Sequence, residues 1–168
     1  MEKVDIPDVE YKYKGCKNVS EIKTVDGNYL EDDIKDGKWT ELLSDLNDGS
    51  YMFLENENIT SFESDLSSLS NGLCMFQACP NITSFESDLS SLTEGSHIFR
   101  NCSNLTVFES DLSSLNGGYR MFQGCSKMET FSSKLNSLIE GEYMFNNCEN
   151  LTSFTFDLNY LVDGKYMF

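Results

Sequence analysis

The sequence predicts a β-rich solenoid, a stack of 23-residue turns with one parallel sheet and short helical or 3-10 turns on the other side. Three observations carry this expectation. Met-Phe stands at Met52-Phe53, Met75-Phe76, Met121-Phe122, Met144-Phe145 and Met167-Phe168, with Ile98-Phe99 in the gap, every step being 23 residues. Further apolar columns keep the same step, and so does a glycine column at Gly49, Gly72, Gly95, Gly118, Gly141 and Gly164. A fixed period in this range means one supersecondary unit that buries its apolar face only against copies of itself.

The units are 52–74, 75–97, 98–120, 121–143 and 144–166, so residues 52–168 hold five full units plus the start of a sixth. Within a unit, one apolar column is Ile59, Ile82, Leu105, Met128 and Leu151, and the next is Phe62, Phe85, Phe108, Phe131 and Phe154. Short aromatic and β-branched runs between turn residues read as strands, which puts a strand at 59–64 and its equivalents. Two leucine columns follow, Leu66 to Leu158 and Leu69 to Leu161. Asp-Leu-Ser-Ser-Leu between them suggests a short helical or 3-10 turn capped by the aspartate. The glycine column is expected to hold a positive-φ turn.

Residues 1–51 read as an N-terminal capping or degenerate repeat region, as terminal repeats are commonly atypical. Trp39 falls in the phenylalanine column, and Leu43, Leu46 and Gly49 fall in theirs. Val9, Tyr11 and Tyr13 alternate as an edge strand would, and Gly15 to Ile22 echoes Gly124 to Phe131. At the other end nothing follows Phe168, so the expectation is a natural chain that continues, or a second subunit that covers the end. No apolar leader follows Met1, so no signal peptide is visible, and no apolar run reaches the roughly 18 residues of a membrane span.

The spacing from Cys79 through Ile82, Phe85, Gly95, Ile98 and Phe99 to Cys102 resembles the BspA-like, or Treponema-type, leucine-rich repeat. The likeness covers 52–168 closely and 16–51 loosely. It departs at Ser64, Ser87, Ser110 and Ser133, where the family has a second isoleucine, and at Asp65, Asp88, Asp111, Asp157 and Lys134, where it has proline. The resemblance implies a leucine-rich-repeat stack of surface proteins linked with adhesion and binding of host or partner proteins, some relatives being virion components.

The chain carries 28 acidic against 12 basic residues, a formal charge of −16, spread along its length. Nucleic acid is disfavoured, because phosphates need a basic surface; a basic partner, a divalent cation or plain solubility stay open. Cys79, Cys102, Cys125 and Cys148 stack one turn apart. Equivalent atoms on adjacent strands lie about 4.8 Å apart, whereas a disulfide needs convergent Cβ atoms about 3.8 Å apart. Buried free thiols are therefore expected, with Cys74 the more exposed and reactive one. Glu63, Glu86 and Glu109 alternate with inward residues and should face outward, while Asp65, Asp88 and Asp111 lie near the strand ends. Such oxygens suit calcium, but simple turn-capping and solvation explain them, and no metal or other cofactor is assigned. Asn58, Asn81, Asn104 and Asn150 begin Asn-x-Thr sequons; backbone bonding in a turn is the simpler role.

Catalysis has no foothold: His97 is the one histidine, expected near the surface beside the glycine turn, and no nucleotide or hydrolase motif occurs. The strand face, polar and acidic, reads equally as a partner-binding surface or a solvated sheet. The function expected is a non-enzymatic recognition scaffold at an extracellular or virion surface, binding a protein or glycan partner, a basic one among the options. Its central contacts would be Thr60, Glu63, Thr83, Glu86, Thr106, Val107 and Glu109. The alternative is a structural or decorating component of a phage virion or other assembly.

Overall fold

A computed structural model describes residues 2–6, 19–24, 28–29, 43, 46–155 and 157–168. Strands β1 (Glu2–Ile6), β2 (Val19–Thr24) and β3 (Asn28–Tyr29) form one sheet in that order, β1 parallel to β2 and β2 antiparallel to β3. The edge strand expected around Val9, Tyr11 and Tyr13, and Trp39, lie outside the described residues.

From Leu46 onward the chain repeats one turn of backbone. Each turn contributes a short strand: β4 (Ser61–Phe62), β5 (Ser84–Phe85), β6 (Val107–Phe108), β7 (Thr130–Ser132) and β8 (Ser153–Thr155). Pairing is parallel and in register at the 23-residue step, Phe62 opposite Phe85 and Phe108 opposite Phe131 opposite Phe154. A second column of parallel bridges runs unbroken through Asp48, Asn71, Glu94, Gly117, Glu140 and Asp163.

The core holds the columns the period picked out, except that Phe154, expected inside with the other strand phenylalanines, is 50% exposed on β8. Phe53, Phe76, Phe99, Phe122 and Phe145 face the strand phenylalanines across it, all fully or almost fully buried. The rings interlock: Phe99 stacks on Phe76 and Phe122, each at 5.5 Å between centroids, and meets Phe85 at 4.7 Å and Phe108 at 5.4 Å edge-on. Offset and edge-to-face pairs suit the ring quadrupole. The leucine columns fill the remaining space, and Leu43 extends one of them before the first unit, fully buried as its place in the period requires.

Four sequence expectations are corrected. First, the parallel sheet is not single: β4-β5 and β6-β7-β8 are separate sheets. Second, the described residues contain no helix; the Asp-Leu-Ser-Ser-Leu segment closes with one bond per unit, as from Leu69 N–H to the Leu66 carbonyl. Its aspartates work as expected, the Asp65, Asp88 and Asp111 carboxylates accepting from the N–H two residues on.

Third, the glycine column is not left-handed. Positive φ falls instead on Tyr51, Cys74, His97, Arg120, Tyr143 and Tyr166, and on Glu55, Ala78, Asn101, Gly124 and Asn147. The column glycines are there for room. A Cβ at Gly72 would stand 2.6 Å from Cδ1 of Ile98, in the next turn, and 3.2 Å from Cδ1 of Leu92. Fourth, Cys74 is buried, 9% exposed.

The Met-Phe side is a run of reverse turns, Met52 N–H bonding Gly49 and Asn56 N–H bonding Phe53, each with positive φ at its third residue as type II geometry demands. Here Gly49, Tyr51, Phe53 and Glu55 donate forward, to the carbonyls of Asn71, Leu73, Met75 and Gln77 in the next turn. On the strand flank the direction reverses: Ser70 and Asn71 donate back to Asn47, and Thr83 back to Thr60.

Candidate interaction surface

The strand face follows from alternation across the pleat. In the first full unit Phe62, Ser64 and Leu66 are buried, while Glu63 and Asp65 are exposed. The same parity leaves Glu86 and Glu109 in solvent one and two turns on. Thr60 and Thr83 are exposed and Thr106 is half-buried. The threonine hydroxyls are partly committed to the stack, since Thr83 Oγ1 donates to the Thr60 carbonyl at 3.0 Å. The inward serines, where the resemblance expects isoleucine, knit turns together: the Ser87 hydroxyl accepts from Ser64 N–H at 3.0 Å. A methyl-rich side chain is thereby exchanged for a satisfied polar contact, as burial of a hydroxyl requires.

Between β5 and β6 the two sheets part. Thr83 N–H reaches the Thr60 carbonyl at 2.8 Å, but Thr106 N–H reaches the Thr83 carbonyl only at 3.5 Å. The Phe85 and Phe108 rings are 6.0 Å apart, against 5.7 Å for Phe62–Phe85 and for Phe108–Phe131. Val107 stands here in a column that is otherwise serine or threonine, and it is 41% exposed. The parting opens a shallow depression of about 580 Å³ that brings together Thr83, Glu86, Thr106, Val107 and Glu109 with Ser84, Ser87 and Ser110. Thr60 and Glu63 lie outside it, on the neighbouring turn.

The other candidates resolve into structural roles. Cys79, Cys102, Cys125 and Cys148 are free thiols, each donating to the carbonyl of Phe53, Phe76, Phe99 or Phe122 at 3.1 to 3.2 Å. Burial pushes the Cys79 and Cys148 thiols up to about 12, and those of Cys102 and Cys125 well above the ordinary value. The Asn81, Asn104 and Asn150 side chains donate to carbonyls of the preceding turn, those of Glu57, Pro80 and Ser126. Hydrogen bonds from Ser67 hold the Asp65 carboxyl below its usual value. At Asp111 burial acts upward, but bonds from Lys134 and Ser113 outweigh it and the carboxyl is held low. Among the described residues no three His, Cys, Asp or Glu side chains are grouped as a metal ion requires. No helix among them is long and apolar enough to cross a membrane.

One feature escaped the column reading. His97 is half-buried rather than at the surface, and it sits among arginines and tyrosines of three successive turns. His97, Arg120 and Tyr143 share one column with Tyr51, Cys74 and Tyr166, whose mixed residue types carried no single chemical signal.

Residues 47–168 match the profile of the BspA type leucine rich repeat region, in 6 copies. No curated protein and no solved structure matches the chain.

Proposed function

This chain belongs to the BspA-type leucine-rich repeat family, and we propose that it is a non-enzymatic recognition scaffold that binds a basic protein partner through its strand face. The depression between β5 and β6 carries this reading, because it joins two exposed carboxylates, Glu86 and Glu109, to the exposed apolar Val107. Apolar anchor and flanking charge are the usual parts of a protein-binding patch. Thr60, Glu63, Thr83 and Thr106 extend the contact along neighbouring turns. The acidic columns steer a basic partner toward the face. Residues 1–51 serve as the N-terminal cap of the array, and the scaffold works in adhesion or partner binding at an extracellular surface, as the family supports.

The test uses a labelled, lysine-rich ten-residue peptide as probe. The chain should bind it, and Glu86→Lys with Glu109→Lys should abolish binding while the melting temperature holds. Full binding by that double variant removes the acidic face from the mechanism.

A further inference from the structure

Four buried side-chain atoms among the described residues have no hydrogen-bond partner, and all four lie together: Nδ1 of His97, Nε of Arg100, Nε of Arg120 and Oε1 of Gln123. Folded proteins leave few such atoms, so their gathering in one place asks for a reason. Arg100 and Arg120 are the only arginines of the chain and His97 its only histidine. In a molecule of charge −16 they converge on the turn side, across the core from the acidic strands.

The fold builds the patch from residues distant in sequence. The 23-residue step sets His97 and Arg120 in the same place on adjacent turns, and Arg100 and Gln123 likewise. The Arg120 guanidinium lies over the Tyr119 ring at 4.9 Å and over the Tyr143 ring at 5.1 Å. His97 meets Tyr119 edge-on at 5.2 Å, and Tyr143 stacks on the exposed Tyr166 at 5.0 Å. Neither arginine has a carboxylate partner: the described ion pairs are Lys134–Asp111 and Lys165–Asp163. Burial first, then the charges of Arg100 and Arg120, hold the His97 imidazole below its usual pKa against the pull of Glu94. At neutral pH the positive charge of the patch is therefore the two guanidinium groups.

We propose that His97, Arg100, Tyr119, Arg120, Gln123 and Tyr143 form a second interaction surface, on the turn side, that takes an acidic segment of a partner protein. A guanidinium braced on aromatic rings keeps its planar fork ready for a carboxylate, and is less hydrated than a lysine ammonium. Tyrosine and arginine dominate the energetic centres of protein interfaces, and tyrosine rings give rigid contact area at small entropic cost. Phosphate would engage the same fork, but the flanking rings of Tyr119, Tyr143 and Tyr166 offer apolar contact that only a peptide uses. The surface is independent of the strand face and selects the opposite charge.

Fluorescence anisotropy of the full chain with a labelled ten-residue peptide, rich in glutamate and carrying two phenylalanines, tests this. Wild type should bind it, and the glutamine version of the peptide should not bind. Arg100→Gln with Arg120→Gln should weaken binding by about tenfold or more, the scale of losing charge-assisted bonds. Arg120→Lys should recover only part of that loss. Glu86→Lys with Glu109→Lys should leave this binding intact, which separates it from the strand-face reading. Melting temperatures identify any variant that unfolds, and Arg100→Gln alone then decides. The proposal fails if wild type ignores the peptide or if a folded arginine variant binds equally well. Full recovery by Arg120→Lys, or displacement of the peptide by inorganic phosphate, also overturns it.

Discussion

Phe99→Leu tests whether the interlocked rings, rather than apolar area alone, hold the turns together. Phe99 contacts four rings, two stacked and two edge-on. Leucine keeps most of the buried area, so the loss is chiefly the ring geometry. At about 0.5 to 0.8 kcal/mol for each pair, four pairs give about 2 to 3 kcal/mol. With a urea m-value of about 2 kcal/mol per M, the unfolding midpoint should fall by about 1 M or slightly more. A double-mutant cycle sharpens the point. Phe99 and Phe108 touch at 5.4 Å, so their leucine substitutions should couple by about 0.5 to 1.5 kcal/mol. Phe62 and Phe108 are separated by Phe85, which stacks on both; their coupling should stay within about 0.5 kcal/mol of zero. Equal coupling for both pairs would refute the nearest-neighbour reasoning, and a midpoint shift under about 0.3 M would refute the ring contribution.

Gly72→Ala should destabilise by about 1 to 2 kcal/mol, overpacking against Ile98 outweighing the smaller gain from a stiffer unfolded chain. Because the clash is with Cδ1 of Ile98, adding Ile98→Val should cost less than the sum of the two single changes; no rescue in urea melts would return the glycine to a backbone role. The cysteine column should resist alkylation at pH 8 in the folded chain and react once urea unfolds it. Its thiol pKa values are raised in the folded state, Cys79 from an ordinary 9.0 to about 12. Stability is therefore complete below the unfolded value and declines as pH rises from about 9 toward 12, the unfolded chain losing protons first. Equal melting temperatures at pH 7 and pH 10.5 would contradict this.

The period exposed the core because burial is set by columns, and apolar columns are visible without coordinates. Phe62, Phe85, Phe108 and Phe131 are buried as their spacing demands, and Glu63 and Glu86 are exposed by parity. Positive φ was not legible. It falls on Tyr51, Cys74, His97, Arg120 and Tyr143, L-residues that carry no left-handed signature and that the inter-turn bonds force there. Glycine misled because it serves two needs, backbone freedom and missing volume, and this column uses the second. The parting of the sheets between β5 and β6 was not legible either: Val107 among serines and threonines marks the place, but no residue pattern reports hydrogen-bond length. The arginine patch was hidden for a different reason: its members occupy several columns and stand near each other only after the chain has wound.

The opposed bonding directions on the two sides of each turn have an electrostatic consequence. In an α-helix every peptide dipole aligns, and the ends carry partial charge. Here the N–H groups of Tyr51, Phe53 and Glu55 point toward the following turn, while those of Ser70, Asn71 and Thr83 point toward the preceding one. The two sets oppose each other, as strand dipoles do in sheets. Lengthening such an array by another turn builds up no macrodipole from these bonds. Its field along the axis is left to the charged side chains that the columns place around the stack.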